Sequence, residues 1–223
     1  MNKFMKIFVI AHIVPIVVGV IAHFVWQGSG SGEWEYVGEQ GGVKVYSLKE
    51  PGELLTRFKG VTTVKTHMDA LVKLVRDPSS CDVVGCYDSE DLEIVDDSLL
   101  YTTFKYPLPD PMTHREYVIK STFKQDPSSK AVEIHIIGEP DRLPPNDCCI
   151  RVEHLHNVWK FTPKGNEKYE IQFLTDFDIG GDLPYFMQNM GGADMLYEQL
   201  GLFQGYLDME QYVNAEIGYV QDV

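Results

Sequence analysis

Three histidines and two glutamates fall close enough along the chain to suggest proton chemistry: Glu133 and His135, then Glu153, His154 and His156. A positioned acid or base among them would serve general acid–base catalysis. Strand alternation puts Glu153 and His154 on opposite faces, so they do not act as a pair. Glu133 and His135 share a face, the one the pattern turns to solvent. No nucleophile–base pair, metal-ligand triad or Gly-x-Ser-x-Gly turn accompanies them. The residues therefore predict no catalytic role, no metal and no cofactor. Cys81, Cys86, Cys148 and Cys149 form no Cys-x-x-Cys pair and do not supply a zinc framework. Cys81 and Cys86 either form a disulfide, as an oxidising compartment allows, or stay free thiols. Arg115 and Arg151 offer a headgroup contact or, the favoured reading, pairing with acids such as Glu116 or Asp178.

The charge balance narrows the partners. The 223 residues carry 33 acids against 19 bases, a net charge of −14. Nucleic-acid affinity comes largely from Lys and Arg on phosphates, so a nucleic-acid partner is excluded. Tight docking on anionic lipid is disfavoured for the same reason. From Tyr169 to the C-terminus there is no Lys or Arg. That acidic stretch is either a solvated helix face or a docking surface for a basic protein partner.

The N-terminus differs in kind. Lys3 and Lys6 precede residues 7–25, which carry no formal charge. Nineteen residues approach the ~20 needed to cross a bilayer. Trp26 ends the run at the depth aromatic rings prefer, and the lysines place the N-terminus in the cytoplasm. Residues 1–26 thus read as a signal anchor, with a signal peptide cut after Ala22 as the alternative. Residues 27–32, Gln-Gly-Ser-Gly-Ser-Gly, read as a flexible linker. The remainder is expected on the extracytoplasmic side, membrane-anchored, or secreted if the segment is cleaved.

Residues 33–213 read as one α+β domain, with a tail over 214–223. Strands are expected over 42–48, 54–64, 82–87, 92–96, 99–106, 115–124, 131–138, 149–162 and 169–179, with a short helix over 67–76. From Pro184 to Tyr212 the period changes to that of one long helix, on which Met190, Ala193 and Tyr197 fall near one face. One face of the strands carries Leu100, Thr102 and Phe104, then Tyr117, Ile119 and Ser121, then Ile134 and Ile136, then Ile171, Phe173 and Thr175. Hydroxyls among large apolar side chains suit a pocket wall.

Several segments, in order, resemble one family. Tyr106-Pro107-Leu108-Pro109 and then His114-Arg115-Glu116-Tyr117-Val118 look like the Pro-rich loop and Arg-Asp-aromatic-Val strand of START (steroidogenic-acute-regulatory-related lipid transfer) domains, with Glu116 in place of the usual Asp. Ile150-Arg151-Val152-Glu153-His154 with Val158-Trp159-Lys160-Phe161-Thr162-Pro163 is similar to the family's next long strand. Asp178-Ile179-Gly180-Gly181-Asp182-Leu183-Pro184-Tyr185 resembles its turn into the C-terminal helix, and Gln188-Asn189 continues the pattern. The resemblance implies a helix-grip fold of the Bet v 1-like superfamily, an antiparallel sheet wrapped around that helix. It implies one lipid (sterol, phospholipid or fatty acid) in an internal tunnel, transferred or presented at the membrane surface. It also implies a polar anchor at Ser121, where sterol carriers often place a charge, or at His154, which matches a tunnel-facing histidine in some members. Two alternatives accompany it: a polyketide cyclase- or aromatase-like enzyme of the same superfamily, and a membrane-tethered ligand sensor that transfers nothing.

Overall fold

Alternating apolar and polar residues build ten strands into one sheet. The computed structural model describes residues 3–222, with side chains for 12–222. The strands are β1 (Glu35–Gln40), β2 (Val43–Leu48), β3 (Arg57–Lys65), β4 (Tyr87–Asp96), β5 (Leu99–Tyr106), β6 (Arg115–Gln125), β7 (Val132–Gly138), β8 (Ile150–Arg151), β9 (His154–Gly165) and β10 (Lys168–Asp178). Their order is β1-β2-β3-β10-β9-β7-β6-β5-β4, with β8 pairing in parallel beside β6. All other pairings are antiparallel.

The helices are α1 (Lys3–Gly28), α2 (Met68–Arg76), α3 (Cys81–Val84), α4 (Tyr185–Gly201), α5 (Phe203–Leu207) and α6 (Glu210–Val213). The core lies between the inner face of the sheet and α2, α4, α5 and α6. Ile134, Phe161, Ile171 and Phe173 meet Leu71, Leu196, Leu200, Phe203 and Tyr212 there. Trp159 stacks on Phe173 at 3.9 Å and on Phe203 at 5.1 Å between ring centroids. The fold class is thus α+β, an antiparallel sheet with a long C-terminal helix, as the sequence implies.

Several elements differ from expectation, each for a local reason. The strand expected over 82–87 is instead α3, which Gly85 ends in the left-handed region at φ 82°. A Cys81–Cys86 disulfide ties its two ends, and Cys148 is joined to Cys149. The strand expected over 149–162 divides at Val152, which is buried and whose N–H donates to the Glu116 carbonyl. The single helix over 184–212 breaks into α4, α5 and α6. The first break follows Gly201, a poor helix former, at Leu202, and the second comes at an extended Met209. β1 was not anticipated, because its burial is too slight to leave a pattern.

The linker expected to be flexible is fastened down. The Trp26 indole donates to the Leu54 carbonyl at 2.8 Å, Gly52 N–H to Gln27 at 2.7 Å, and Lys49 Nζ to Ser29 at 3.2 Å. The tail after α6 is fastened too. Asp222 caps α2 by accepting from Met68 N–H at 3.0 Å, and Asp69 accepts from Ile217 N–H at 2.9 Å. The span expected over 7–25 lies partly outside the residues whose side chains are described. Among the described residues no helix is long and apolar enough to cross a membrane.

Candidate functional site

The two halves of α4 are held by different chemistry. In the second half Leu196 and Leu200 are fully buried, and Leu200 lies over Gly60 of β3, where any Cβ would collide with it. In the first half Phe186, Met187 and Met190 are exposed, Met190 at 76%. This half is secured by two amides. Gln188 accepts from Ile179 N–H at 3.1 Å and donates to Asp178 and Leu183, each at 3.2 Å. Asn189 accepts from Thr56 N–H at 2.8 Å and donates to the Leu54 carbonyl at 2.9 Å, the carbonyl that Trp26 also uses.

Beneath this half lies a cleft of about 210 Å³. Phe58 and Leu55 wall it from the β3 side, Thr175, Phe177 and Ile179 from β10 and the turn after it, and Met187, Gly191 and Met195 from α4. Gly192 admits the Phe58 ring against the helix backbone, since a Cβ there would overlap the ring. The helix therefore tolerates the propensity cost of its glycine pair because close approach requires one of them. A second, more open depression of about 590 Å³ adjoins it through Thr56, Phe58 and Asn189, and reaches Trp26 and Lys49. Arg115 sets the turn that leads into α4. Its guanidinium donates to the carbonyls of Ile179 at 2.6 Å, Gly180 at 2.9 Å and Thr113. Arg151 pairs with Glu116 at 2.5 Å. Arg151 thus makes the acid pairing that the sequence favoured, whereas Arg115 is held by backbone carbonyls instead of an acid.

Most of the sequence-derived site residues do face inward. Leu100, Thr102, Ile119, Ser121, Ile134, Ile136, Ile171, Phe173 and Thr175 are buried, while Phe104, Tyr117, Ala193 and Tyr197 are half-buried against the core. Phe104 and Tyr117 stack at 4.8 Å. Burial pushes the Tyr117 hydroxyl up to about 12, because a phenolate there would lose its water. Of these residues only Thr175 lines the 210 Å³ cleft; Met190 points away from it. His154 is corrected. It lies on the outer face, exposed, its Nε2 donating to the Asp176 carboxylate at 2.9 Å, which Arg57 also reaches at 2.9 Å. The inward polar residue of β9 is Asn157, which sequence reasoning missed although its odd-numbered register with Trp159 and Phe161 could have found it.

The remaining proton-active groups are outside. His135 meets Glu133 at 2.5 Å and His156 at 3.4 Å on the outer face. Among the described residues, one trio has metal-ligating atoms within 4.8 Å of one another: His67, Asp69 and Asp222. Two of its members already serve backbone N–H groups around α2.

No family profile matches the chain. A protein of Pseudomonas aeruginosa described as uncharacterized is 27% identical over 158 residues, spanning 70% of this chain and 78% of its own. Solved structures decide the architecture. A STAR-related lipid transfer protein fragment from Xanthomonas axonopodis superposes with a TM-score of 0.73 at 22% identity, over 80% of this chain and all of its own. The fold is the START fold. Human STARD10 shares it at a TM-score of 0.72 and 13% identity, over 85% of this chain and 79% of its own. Human StAR-related lipid transfer protein 5 shares it at 0.68 and 16%, over 88% and 95%. In START-fold terms, α4 is the gripped helix and the 210 Å³ cleft lies under its first half.

Proposed function

We propose that the chain binds one hydrophobic lipid beneath α4 and presents or transfers it at a membrane surface without catalysing a reaction. The observation that carries this is the apolar cleft under a helix half held by side-chain amides rather than by packing. Its volume is smaller than the ~300–1,000 Å³ of typical ligand pockets. Uptake of a lipid therefore requires the first half of α4 to swing outward, breaking the Gln188 and Asn189 bonds. Amide hydrogen bonds contribute only about 0.5–1.5 kcal/mol each, so such an opening is accessible. A lipid gains roughly 0.8 kcal/mol for each CH₂ it buries, which repays the opening within a few methylenes. The solved START-fold proteins named for lipid transfer support the ligand class.

Location is part of the proposal. From Ile13 to Val25 the apolar side chains of α1 are exposed all round, the pattern of a helix solvated by lipid. Two disulfides suit an extracytoplasmic compartment. His23 of α1 meets the Tyr185 hydroxyl at 3.3 Å, which sets the end of α1 beside the first turn of α4. The exposed Phe186, Met187 and Met190 would then face the same bilayer. We read the domain as membrane-held, lifting a lipid from the adjacent leaflet. Transfer of a fluorescent lipid between vesicles tests the reading, with Gly192→Leu as the blocked control. Full-length protein should accelerate transfer and the variant should not. Equal rates with and without protein would reject transfer, and retention on membranes through carbonate washing would separate anchor from cleaved peptide.

A further inference from the structure

One row of inward residues crosses six strands: Leu100 on β5, Ser121 on β6, Ile136 on β7, Asn157 on β9, Thr175 on β10 and Phe58 on β3. Two polar atoms in this row are buried without any hydrogen-bond partner, Ser121 Oγ and Asn157 Oδ1. Ser121 is only 2% exposed. A buried polar atom left unpaired is costly, and native proteins rarely keep one without a use. Other buried hydroxyls of the sheet are paired: Thr62 donates to the Gly42 carbonyl at 3.3 Å, Thr102 to Asp91 at 2.9 Å and Thr103 to the Tyr117 carbonyl at 3.0 Å. Ser121 and Asn157 flank Ile136 and lie roughly 10 Å apart, two strand spacings. The row leads outward to Thr175 and Phe58, which line the cleft under α4.

Charge decides what such a row can hold. Among the inward positions of β3, β5, β6, β7, β9 and β10, the one formal charge is Arg115, and its guanidinium is occupied by three carbonyls. An ionised head placed against Ser121 and Asn157 would lose its water with no counter-charge beside it. A neutral group meets either atom without carrying a charge inward: an O–H or N–H donates to Asn157 Oδ1, and a hydroxyl or carbonyl oxygen accepts from Ser121 Oγ. The nearest rival is Arg76, whose Nε and Nη2 are also buried and unpaired. Its guanidinium lies against the rings of Phe123 and Tyr219, and its Nη1 donates to Asp97 and Tyr219 at 2.8 Å. Those rings compensate it and separate it from the cleft.

We infer that Ser121 and Asn157 select a lipid whose inward polar group is uncharged and hydrogen-bonding, such as a hydroxyl, ester or amide, over one ending in a carboxylate or phosphate. This rests on the lipid-binding reading above. The test uses three probes with one tail length: hexadecanol, palmitate at pH 8, and hexadecane. Each is equilibrated with the full-length chain, and bound ligand is quantified by native mass spectrometry. Hexadecanol should bind at least tenfold tighter than palmitate and than hexadecane. The double variant Ser121→Ala with Asn157→Leu should weaken hexadecanol about tenfold and leave hexadecane unchanged; a merely structural role would shift both probes together. Palmitate binding as tightly as hexadecanol would overturn the inference while leaving the lipid reading intact. Palmitate preferred and lost on Arg76→Met would overturn it in favour of the arginine. Equal loss of hexadecanol and hexadecane in the double variant would also overturn it. Binding of none of the three would reject the lipid reading and this inference with it.

Discussion

The two halves of α4 cross the same sheet, yet one is core and the other is held at the surface by side-chain amides. Leu196 and Leu200, with Phe203 and Leu207 just beyond, are buried against Trp159, Phe173 and β3. Each such side chain contributes about 1.5–3 kcal/mol. Phe186, Met187 and Met190 bury little, and the first half relies on the amides of Gln188 and Asn189. Apolar burial is lost all at once when a helix lifts, whereas water replaces amide hydrogen bonds as they break. The difference teaches that one helix can draw its stability from the turns of its second half while its first half is held by bonds that water can replace.

That contrast is open to attack at both ends. Leu200→Ala should cost about 2–5 kcal/mol in urea unfolding, while Met190→Ala should stay within about 0.5 kcal/mol. Equal losses would erase the distinction. Alkaline titration probes the inner face of the sheet. Tyr117 is raised to about 12 in the folded state by burial, against an ordinary value near 10. Its contribution is fully present below the unfolded value and is lost as pH rises through the folded one. Stability should therefore fall by roughly 2 kcal/mol between about pH 10 and 12, and Tyr117→Phe should remove that part of the fall. A smaller effect is expected at the latch. Gln188→Ala with Asn189→Ala should cost about 1–2 kcal/mol and speed hydrogen exchange at Thr56 and Ile179 without touching that of Leu200. Uniform exchange along α4 would contradict the two-part helix. Smallest of all, Ser121→Ala should leave unliganded stability unchanged or raise it by up to about 1 kcal/mol, since an unpaired hydroxyl is removed. A clear loss in thermal unfolding would mean the hydroxyl has a structural partner.

Much of this was legible in the sequence because alternation is a strong signal where one sheet face is buried. Ile134, Ile171 and Phe173 were placed inward by period alone, and all are buried. The Arg115, Asp178–Tyr185 and Gln188-Asn189 segments gave the resemblance that the solved START-fold structures share. What failed was local. The inward placement of His154 rests on the family resemblance alone, whereas the alternation of β9, which turns Asn157, Trp159 and Phe161 inward, puts His154 outside with its ion pair. A 3.6 period cannot show where a long apolar helix breaks, so α5 and α6 were merged with α4. The linker reads as mobile because its tertiary partners, Lys49 for Ser29 and Gly52 for Gln27, lie 20 and 25 residues away.

The central claim is that a lipid occupies the space under α4. Native mass spectrometry of the full-length chain, purified from a lipid-rich host and followed by identification of any bound mass, tests it most directly. The account predicts one lipid per chain, absent from Gly192→Leu. A chain that emerges empty, and stays empty when offered sterols, fatty acids and phospholipids, would contradict it.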